Sequence, residues 1–149
     1  MIESKLISNS IFTDISFNNL EELLVQTRVK SHALMNQTHS DKVIHVKQAG
    51  SYKSDGIFTS NKNLGLVVRT ADCMPVLIKD NSHIGAVHIG WRGVKNKIID
   101  NAIRHFKLSD LLMSVGPHAQ SCCYEVKEDV SKYLYKYINT RKGKKYLDM

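Results

Sequence analysis

The sequence predicts an α/β fold, a mixed α/β sandwich. Short runs of apolar, often β-branched residues with little polar alternation are typical of strands that are buried on both faces. Other segments instead repeat their apolar residues at the spacing of a helix. Strands separated by helices favour a mixed α/β sandwich.

The first third of the chain is expected to be mostly extended. Residues 1–17, 33–35 and 43–46 carry apolar side chains between polar breaks. Asn18 or Asn19 could cap a short helix, because both stand just before apolar residues at helical spacing. Those apolar residues are Leu20, Leu23, Leu24 and Val25.

From residue 64 onward the apolar pattern is denser, after a turn signal at Asp55-Gly56. Four apolar runs predict strands, and we expect the first three to be central and buried. The runs are residues 64–68, 75–78, 84–88 and 111–115. Residues 90–106 and 125–138 carry apolar side chains at helical spacing, so we expect a helix in each, the second a long one.

The composition is that of one folded domain, and we treat residues 1–149 as a single unit. The chain has 149 residues, of which 42% are hydrophobic and 23% charged. No apolar run approaches the roughly 20 residues that cross a bilayer, and the start of the chain lacks the pattern of a secretory signal. We therefore expect a cytoplasmic protein without membrane partners.

Three cysteines, an odd number, argue against a disulfide framework and for reduced thiols. They are Cys73, Cys122 and Cys123. Since neighbouring residues of an extended chain face opposite ways, we expect either Cys122 or Cys123 to pack in the core.

The formal charge of +7 predicts a basic surface that could attract phosphorylated small molecules. Much of the excess lies near the C-terminus, where we expect a solvated basic tail. The basic residues there are Lys136, Arg141, Lys142, Lys144 and Lys145. No nucleic-acid-binding motif is present, so nucleic acid is not expected as a partner.

Three residues stand out as a candidate catalytic metal site: His39, Cys73 and His88. Each falls in a loop or at a strand end, where α/β folds tend to place function. Two imidazoles and a thiolate suit tetrahedral zinc and leave a fourth position open, as catalytic zinc sites do. The three residues are far apart in the sequence, however, and each has an ordinary structural alternative. Cys73 could be a core cysteine, His88 a core histidine and His39 an exposed histidine.

Four neighbouring residues are candidates for substrate binding: Arg69, Asp72, Arg92 and His118. Asp72 could orient a ligating imidazole, or it could hydrogen bond its own backbone at a strand end. Arg92 stands near a predicted helix start and could hold phosphate, or it could merely cover Trp91. His118 follows the Gly-Pro pair after the last predicted strand and either faces the same pocket or lies in an exposed loop.

Several segments together resemble the family long labelled multicopper polyphenol oxidoreductase or laccase-like, now also described as purine nucleoside phosphorylase/adenosine deaminase. The matching segments occur in the family's order over roughly residues 34–130. They are Gln37-Thr38-His39, Ser54-Asp55-Gly56, the run from Arg69 through Ala71-Asp72-Cys73 to Leu77, Val87-His88-Ile89-Gly90-Trp91-Arg92-Gly93, Gly116-Pro117 and Cys122-Cys123-Tyr124-Glu125-Val126.

The resemblance implies the family's fold, a sandwich of mixed β-sheets flanked by helices, and a catalytic metal site at His39, Cys73 and His88. It also implies zinc as the usual metal, with copper behind the older oxidase label. Implied substrates are purine nucleosides and phosphate: the family phosphorolyses adenosine, guanosine, inosine and methylthioadenosine, and deaminates adenosine. A copper-dependent polyphenol oxidase is the alternative, although seven histidines are few for a multicopper site.

Two departures from the family pattern are visible. The loop at residues 118–121 reads His-Ala-Gln-Ser where the family usually has an Ile-Gly type of loop, which is expected to alter the pocket wall. The chain also ends at Met149, near a Leu-Asp pair that in the family opens a further helix and more strands. We therefore expect a domain that lacks the C-terminal portion of the family domain. An inactive, metal-binding remnant is a further alternative for its function. A homo-oligomer is compatible with these expectations.

Overall fold

The computed structural model describes residues 1–14, 16 and 19–149. Its α-helices are α1 (Leu20–Gln26), α2 (Trp91–Lys95), α3 (Ile98–Ile103) and α4 (Glu128–Ser131). Single turns of 3₁₀ helix span Leu108–Asp110 and Tyr135–Tyr137. Its strands are β1 (Ile2–Glu3), β2 (Ile11–Phe12), β3 (His32–Met35), β4 (Val43–His45), β5 (Gly50–Tyr52), β6 (Gly56–Thr59), β7 (Gly65–Val67), β8 (Met74–Lys79), β9 (Ile84–Ile89), β10 (Leu112–Val115), β11 (Glu125–Val126), β12 (Ile138–Arg141) and β13 (Lys144–Leu147).

A five-stranded mixed sheet forms the centre, in the order β10-β8-β9-β6-β4. Its pairs are antiparallel except for β4 and β6, which are parallel. A second sheet of parallel strands, β5-β3-β7, packs on one face of it. The layers arise because successive side chains of a strand point to opposite faces.

Neighbouring residues of the central strands accordingly enter different cores. Ile57 and Ala86 face the second sheet and pack with Ala33. Phe58 and Val87 face α2 and α3. Burying a side chain of this kind stabilises the fold by about 1.5–3 kcal/mol, so strands buried on both faces need the near-continuous apolar runs seen in the sequence. The predicted α/β sandwich of mixed sheets flanked by helices is confirmed.

Two expectations for the middle of the chain need correction. The run at residues 64–68 does form a strand, but β7 is a half-buried edge strand and not a central one. The helix expected over residues 90–106 is broken into α2 and α3. Lys97 causes the break, because its φ of 60° is left-handed and cannot continue a right-handed helix.

The long helix predicted over residues 125–138 is wrong. Residues 125–126 pair with β13 as β11, and only the four residues of α4 are α-helical before a 3₁₀ turn leads into β12. Val126, Val130 and Leu134 are buried together with Leu147. The apolar spacing of this segment therefore serves a small separate core that is closed by the C-terminal strand.

The C-terminal segment that was expected to be a solvated basic tail forms a structured hairpin. Strands β12 and β13 pair around Lys142 and Gly143, whose φ angles are 49° and 75°. Two positive φ angles in a two-residue connection are typical of the tight turns that join antiparallel strands. The lysines do reach the surface, and Lys144 and Lys145 form exposed ion pairs with Glu125 and Glu128.

The short helix near the N-terminus has the expected cap. The Asn19 side chain accepts a hydrogen bond of 3.0 Å from the backbone N–H of Glu21. The other candidate cap, Asn18, lies outside the described residues, as do Ile15 and Phe17. Among the residues that the structure describes, no helix is long and apolar enough to cross a membrane.

All three cysteines are free, but the expected core cysteine is not found. Cys122 and Cys123 are both exposed, because they lie in a turn between Gln120 and Tyr124 rather than on an extended strand. The Tyr124 N–H donates to the Gln120 carbonyl, which closes that turn at 2.9 Å.

Candidate metal centre

The central sheet brings Cys73 and His88 together. Strands β8 and β9 pair antiparallel, with Met74 opposite Ile89 and Pro75 opposite His88. Cys73 stands one residue before β8 and therefore lies beside the end of β9. His88 is buried, with 3% of its surface exposed, whereas Cys73 is half-buried. The register of one strand pair thus places two candidate ligands at the same sheet end.

His39 reaches this place from a different layer. It lies in the connection between β3 of the second sheet and β4 of the central sheet, with a left-handed φ of 58°. Few residues other than glycine adopt this conformation, so its surroundings have to hold it there. The His39 and His88 rings meet edge to face, with centroids 4.8 Å apart and planes at 82°.

The three side chains offer a compact set of donor atoms. One ligand atom from each of His39, Cys73 and His88 lies within 4.8 Å of the others. The distance from Cys73 Sγ to His39 Nε2 is 3.7 Å. In tetrahedral zinc sites, bond lengths of about 2.0–2.1 Å to nitrogen and 2.3 Å to sulfur put donor atoms about 3.3–3.6 Å apart. The residue types and their spacing fit a tetrahedral metal ion with small closing movements.

A buried carboxylate contacts both histidines. Asp55 has no exposed surface, and its Oδ1 accepts a hydrogen bond of 2.8 Å from His88 Nδ1 and one of 2.9 Å from the His39 N–H. Its Oδ2 accepts from the N–H and hydroxyl of Ser40, at 2.8 and 2.6 Å, and from those of Thr38, at 3.1 and 3.3 Å. Burial acts to raise the pKa of Asp55, but the hydrogen bonds, led by those of Ser40, outweigh burial and lower it to about 2. Asp55 is therefore an ionised acceptor at neutral pH.

The Cys73 thiol is held in its neutral form by its surroundings. Burial raises the pKa of Cys73, and the negative charges of Asp72 and Asp55 raise it further. A nearby cation would favour the thiolate, whereas these two neighbouring charges are negative. Tyr124 lies near the same place: burial, and then the charges of Cys73 and Asp72, raise its pKa.

The aspartate that contacts an imidazole is not the one expected. Asp55, not Asp72, hydrogen bonds to His88. The Asp72 side chain is exposed and makes no hydrogen bond within the described part of the chain. Its backbone carbonyl accepts from the Ala119 N–H at 2.9 Å, which places the loop after Gly116 beside Cys73.

The side chains of both arginine candidates are exposed. Arg69 is fixed through its backbone, because the Gln37 side chain both donates to its carbonyl at 2.7 Å and accepts from its N–H at 3.0 Å. The Arg92 guanidinium carbon lies 5.2 Å from the centroid of the Trp91 ring. This contact is compatible with the interpretation that Arg92 covers Trp91, and the Arg92 side chain is also exposed to solvent.

His118 is half-buried, and both of its ring nitrogens are engaged. Its Nδ1 lies 2.9 Å from the Gly116 carbonyl, which can only accept, so Nδ1 carries the proton. Its Nε2 lies 2.8 Å from the Gln120 amide nitrogen. A substrate would have to displace the Gln120 amide in order to reach this imidazole.

Sequence reasoning missed the part that Asp55 plays. The Asp55-Gly56 pair was assigned to a turn, whereas the residue is a buried acceptor directly before β6. The one available signal was that Ser54-Asp55-Gly56 is among the segments that resemble the family. A carboxylate inside a protein core needs hydrogen-bond donors around it.

Comparison with known proteins gives a consistent assignment. The model of the family described as multi-copper polyphenol oxidoreductase laccase matches residues 16–149. A purine nucleoside phosphorylase of Aquifex aeolicus is 37% identical over 75% of this chain and 57% of its own length. A protein of the same name from Clostridium acetobutylicum is 33% identical over 80% of this chain and 55% of its own.

The fold has a close match among solved structures. A crystal structure of a Neisseria meningitidis protein superposes with a TM-score of 0.74 and 26% sequence identity, covering 86% of this chain and 58% of that one. The chain thus spans a little over half the length of these relatives.

Proposed function

Because this chain belongs to the multi-copper polyphenol oxidoreductase laccase family, we propose that it carries the metal centre of a purine nucleoside phosphorylase, with zinc held by His39, Cys73 and His88. The observation that carries the proposal is the convergence of these donors from three separate segments into one cluster. The names of the relatives from Aquifex and Clostridium support the nucleoside chemistry.

The donor set favours zinc at this position. Thiolate and imidazole together suit zinc, and a set of three protein ligands leaves a coordination position for substrate or water. When bound, zinc would supply a Lewis acid beside the substrate. The chain itself shields His88 from solvent.

The two exposed arginines are the proposed phosphate ligands. In phosphorolysis a phosphate oxygen forms a bond to ribose C1′ as the bond from C1′ to the base breaks, and the base leaves with a proton. Arg69 and Arg92 carry planar guanidinium groups that match phosphate with two parallel hydrogen bonds. The carboxylate of Asp72 and the imidazole of His118 lie on segments beside Cys73, and we assign them to the sugar and the base.

Phosphorolysis of methylthioadenosine and deamination of adenosine are included in the proposal as further reactions of the same centre. Both substrates are adenine nucleosides and would use the same pocket. Deamination differs in replacing the amino group at C6 of the purine by an oxygen from water, with release of ammonia. It is therefore independent of phosphate, and this separates the two activities in an assay.

The test is a phosphate-dependent release of hypoxanthine from inosine by protein of known metal content. The wild-type chain should contain zinc and release the base only when phosphate is present. Cys73→Ala should lose both the zinc and the activity. Cys122→Ala is the matched control, because it removes an exposed thiol outside the cluster. Full activity of the Cys73 variant would refute the assignment.

Other results of the same assay identify the alternatives. Stoichiometric copper together with oxygen uptake in the presence of a phenol would establish the oxidase that the family description names. Zinc binding without turnover of any nucleoside would indicate a metal-binding remnant.

A further inference from the structure

We propose that Asp55 is the positioning residue of the metal centre: it fixes the tautomer of His88 and, through the backbone, the place of His39. The inference rests on the proposed metal site and extends it to a residue that would not touch the metal. A single carboxylate would then set two of the three ligands.

One oxygen of Asp55 faces both histidines. Asp55 Oδ1 lies 2.8 Å from His88 Nδ1 and 2.9 Å from the His39 backbone nitrogen. Both the His88 and Asp55 side chains are buried, with 4% and 0% of their surfaces exposed. Water therefore does not compete for this contact, and the hydrogen bond fixes the plane of the His88 ring.

The hydrogen bonds of Asp55 also determine which nitrogen of the His88 ring carries the proton. The carboxylate receives backbone N–H groups from Thr38, His39 and Ser40. Backbone amides can only donate, so both oxygens of Asp55 are held as acceptors. The contact with His88 therefore has Nδ1 as the donor, and the lone pair of His88 is left on Nε2. This is the tautomer that a metal bound at Nε2 requires.

The backbone of His39 is strained and is held by the same carboxylate. Its φ of 58° costs about 1–3 kcal/mol for a residue that is not glycine. Three consecutive N–H groups, those of residues 38 to 40, point at the one carboxylate. These hydrogen bonds offset the strain, and they aim the His39 side chain at Cys73.

An asparagine at this position makes the inference testable. Asp55→Asn keeps the shape but replaces one oxygen by an NH₂ donor. If the NH₂ faces His88, then Nδ1 must accept and the ring proton moves to Nε2, where it blocks the metal. If the NH₂ faces the loop, it meets the N–H groups of Thr38 and Ser40. Either arrangement should lower zinc affinity by about 10–100-fold, the usual loss when such a supporting partner is removed.

The experiment combines nitrogen NMR of the histidine rings in the metal-free chain with zinc affinity from competition against a chromophoric chelator. We expect His88 of the wild-type protein to carry its proton on Nδ1. We expect Asp55→Asn to lower the affinity and to show a changed His88 ring spectrum. Asp80→Asn is the matched control, since it makes the same change at a second buried carboxylate, which lies after the opposite end of β8 from Cys73 and contacts Ser82, His83 and Lys107. It should retain the wild-type tautomer and affinity.

The outcomes separate this inference from the proposed function. Wild-type protein that binds no zinc would refute the metal site, while its His88 tautomer would still test Asp55. A wild-type His88 protonated on Nε2, or an Asp55→Asn variant with wild-type zinc affinity, would overturn the inference. If Asp55→Asn does not fold, the wild-type tautomer decides the question without any variant.

Discussion

Gly90 lies directly against the His39 imidazole: a β-carbon on Gly90 would stand 2.7 Å from His39 Cδ2 and 3.1 Å from Cys73 Sγ. The backbone of Gly90 has φ −90° and ψ 175°, an extended conformation that any residue can adopt. Glycine is therefore needed here for space. The residue after β9 must lack a side chain if His39 and Cys73 are to approach each other.

The first prediction follows from this contact. Gly90→Ala should displace the His39 ring and lower zinc affinity by about tenfold or more, as expected when a ligand is moved off its position. The measurement is a competition titration of the purified variant against a chromophoric zinc chelator. Wild-type affinity in this variant would mean that His39 has room to move without losing its place.

Gly85→Ala is the matched control for Gly90→Ala. Gly85 is also in the β9 region, and its β-carbon would lie 2.7 Å from Cζ of Phe106, away from the centre. Overpacking of this kind should cost about 1–3 kcal/mol of stability and leave zinc affinity unchanged. An equal loss of zinc in both variants would trace the effect to general destabilisation.

A second prediction separates the two readings of Arg92. If its guanidinium binds phosphate in the ground state and transition state alike, Arg92→Gln should raise the KM for phosphate and leave kcat nearly unchanged. Arg104→Gln removes an exposed arginine next to α3 and should change neither constant. If Arg92 only covers Trp91, its variant should lose stability with no change in the KM for phosphate.

A third prediction concerns Asp80, which joins the turn after β8 to the end of the helical layer. This side chain is 4% exposed, and it accepts N–H groups from Ser82, His83 and Lys107 at 2.5–2.7 Å. Burial acts to raise the pKa of Asp80, but these backbone hydrogen bonds outweigh it and lower the pKa. Asp80→Asn should reduce the free energy of unfolding at neutral pH by about 1–3 kcal/mol.

The effect of Asp80 should depend on pH with a defined sign. A carboxyl group whose pKa is lowered on folding stabilises the protein above its unfolded pKa, which is about 3.9. That stabilisation disappears as the pH falls through the lower pKa of the folded state. The gap in unfolding free energy between wild type and Asp80→Asn should therefore be constant near neutrality and shrink below about pH 4. Asp100→Asn, an exposed control, should show no such gap.

The sequence predicted the candidate ligands better than it predicted their support. The apolar runs allowed Cys73 and His88 to be placed at the ends of buried strands, and the family resemblance then identified them as candidate ligands. The contact between Asp55 and His88 spans 33 residues and depends on the pairing of β6 with β9. A turn signal is a local property, so it could not reveal that this aspartate is buried and surrounded by donors.

The prediction of a long helix over residues 125–138 was wrong for a related physical reason. The apolar residues Val126, Val130 and Leu134 have helical spacing, but they pack on Leu147, which comes later in the chain. Tertiary packing and the pairing of β11 with β13 therefore override the local pattern. The hairpin of β12 and β13 provides this packing surface, although its basic residues led to the prediction of a solvated tail.

The last prediction tests that hairpin at its turn. Gly143 has a φ of 75°, and a β-carbon on it would meet no atom of the described residues within 4 Å. Gly143→Ala should therefore destabilise through the backbone alone, by about 1–2 kcal/mol. Lys142→Asn should act in the opposite direction, because Asn-Gly is the preferred pair for such turns and Lys142 also has a positive φ. Chemical denaturation of both variants gives the two changes, and only a turn with both φ angles positive predicts that they have opposite signs.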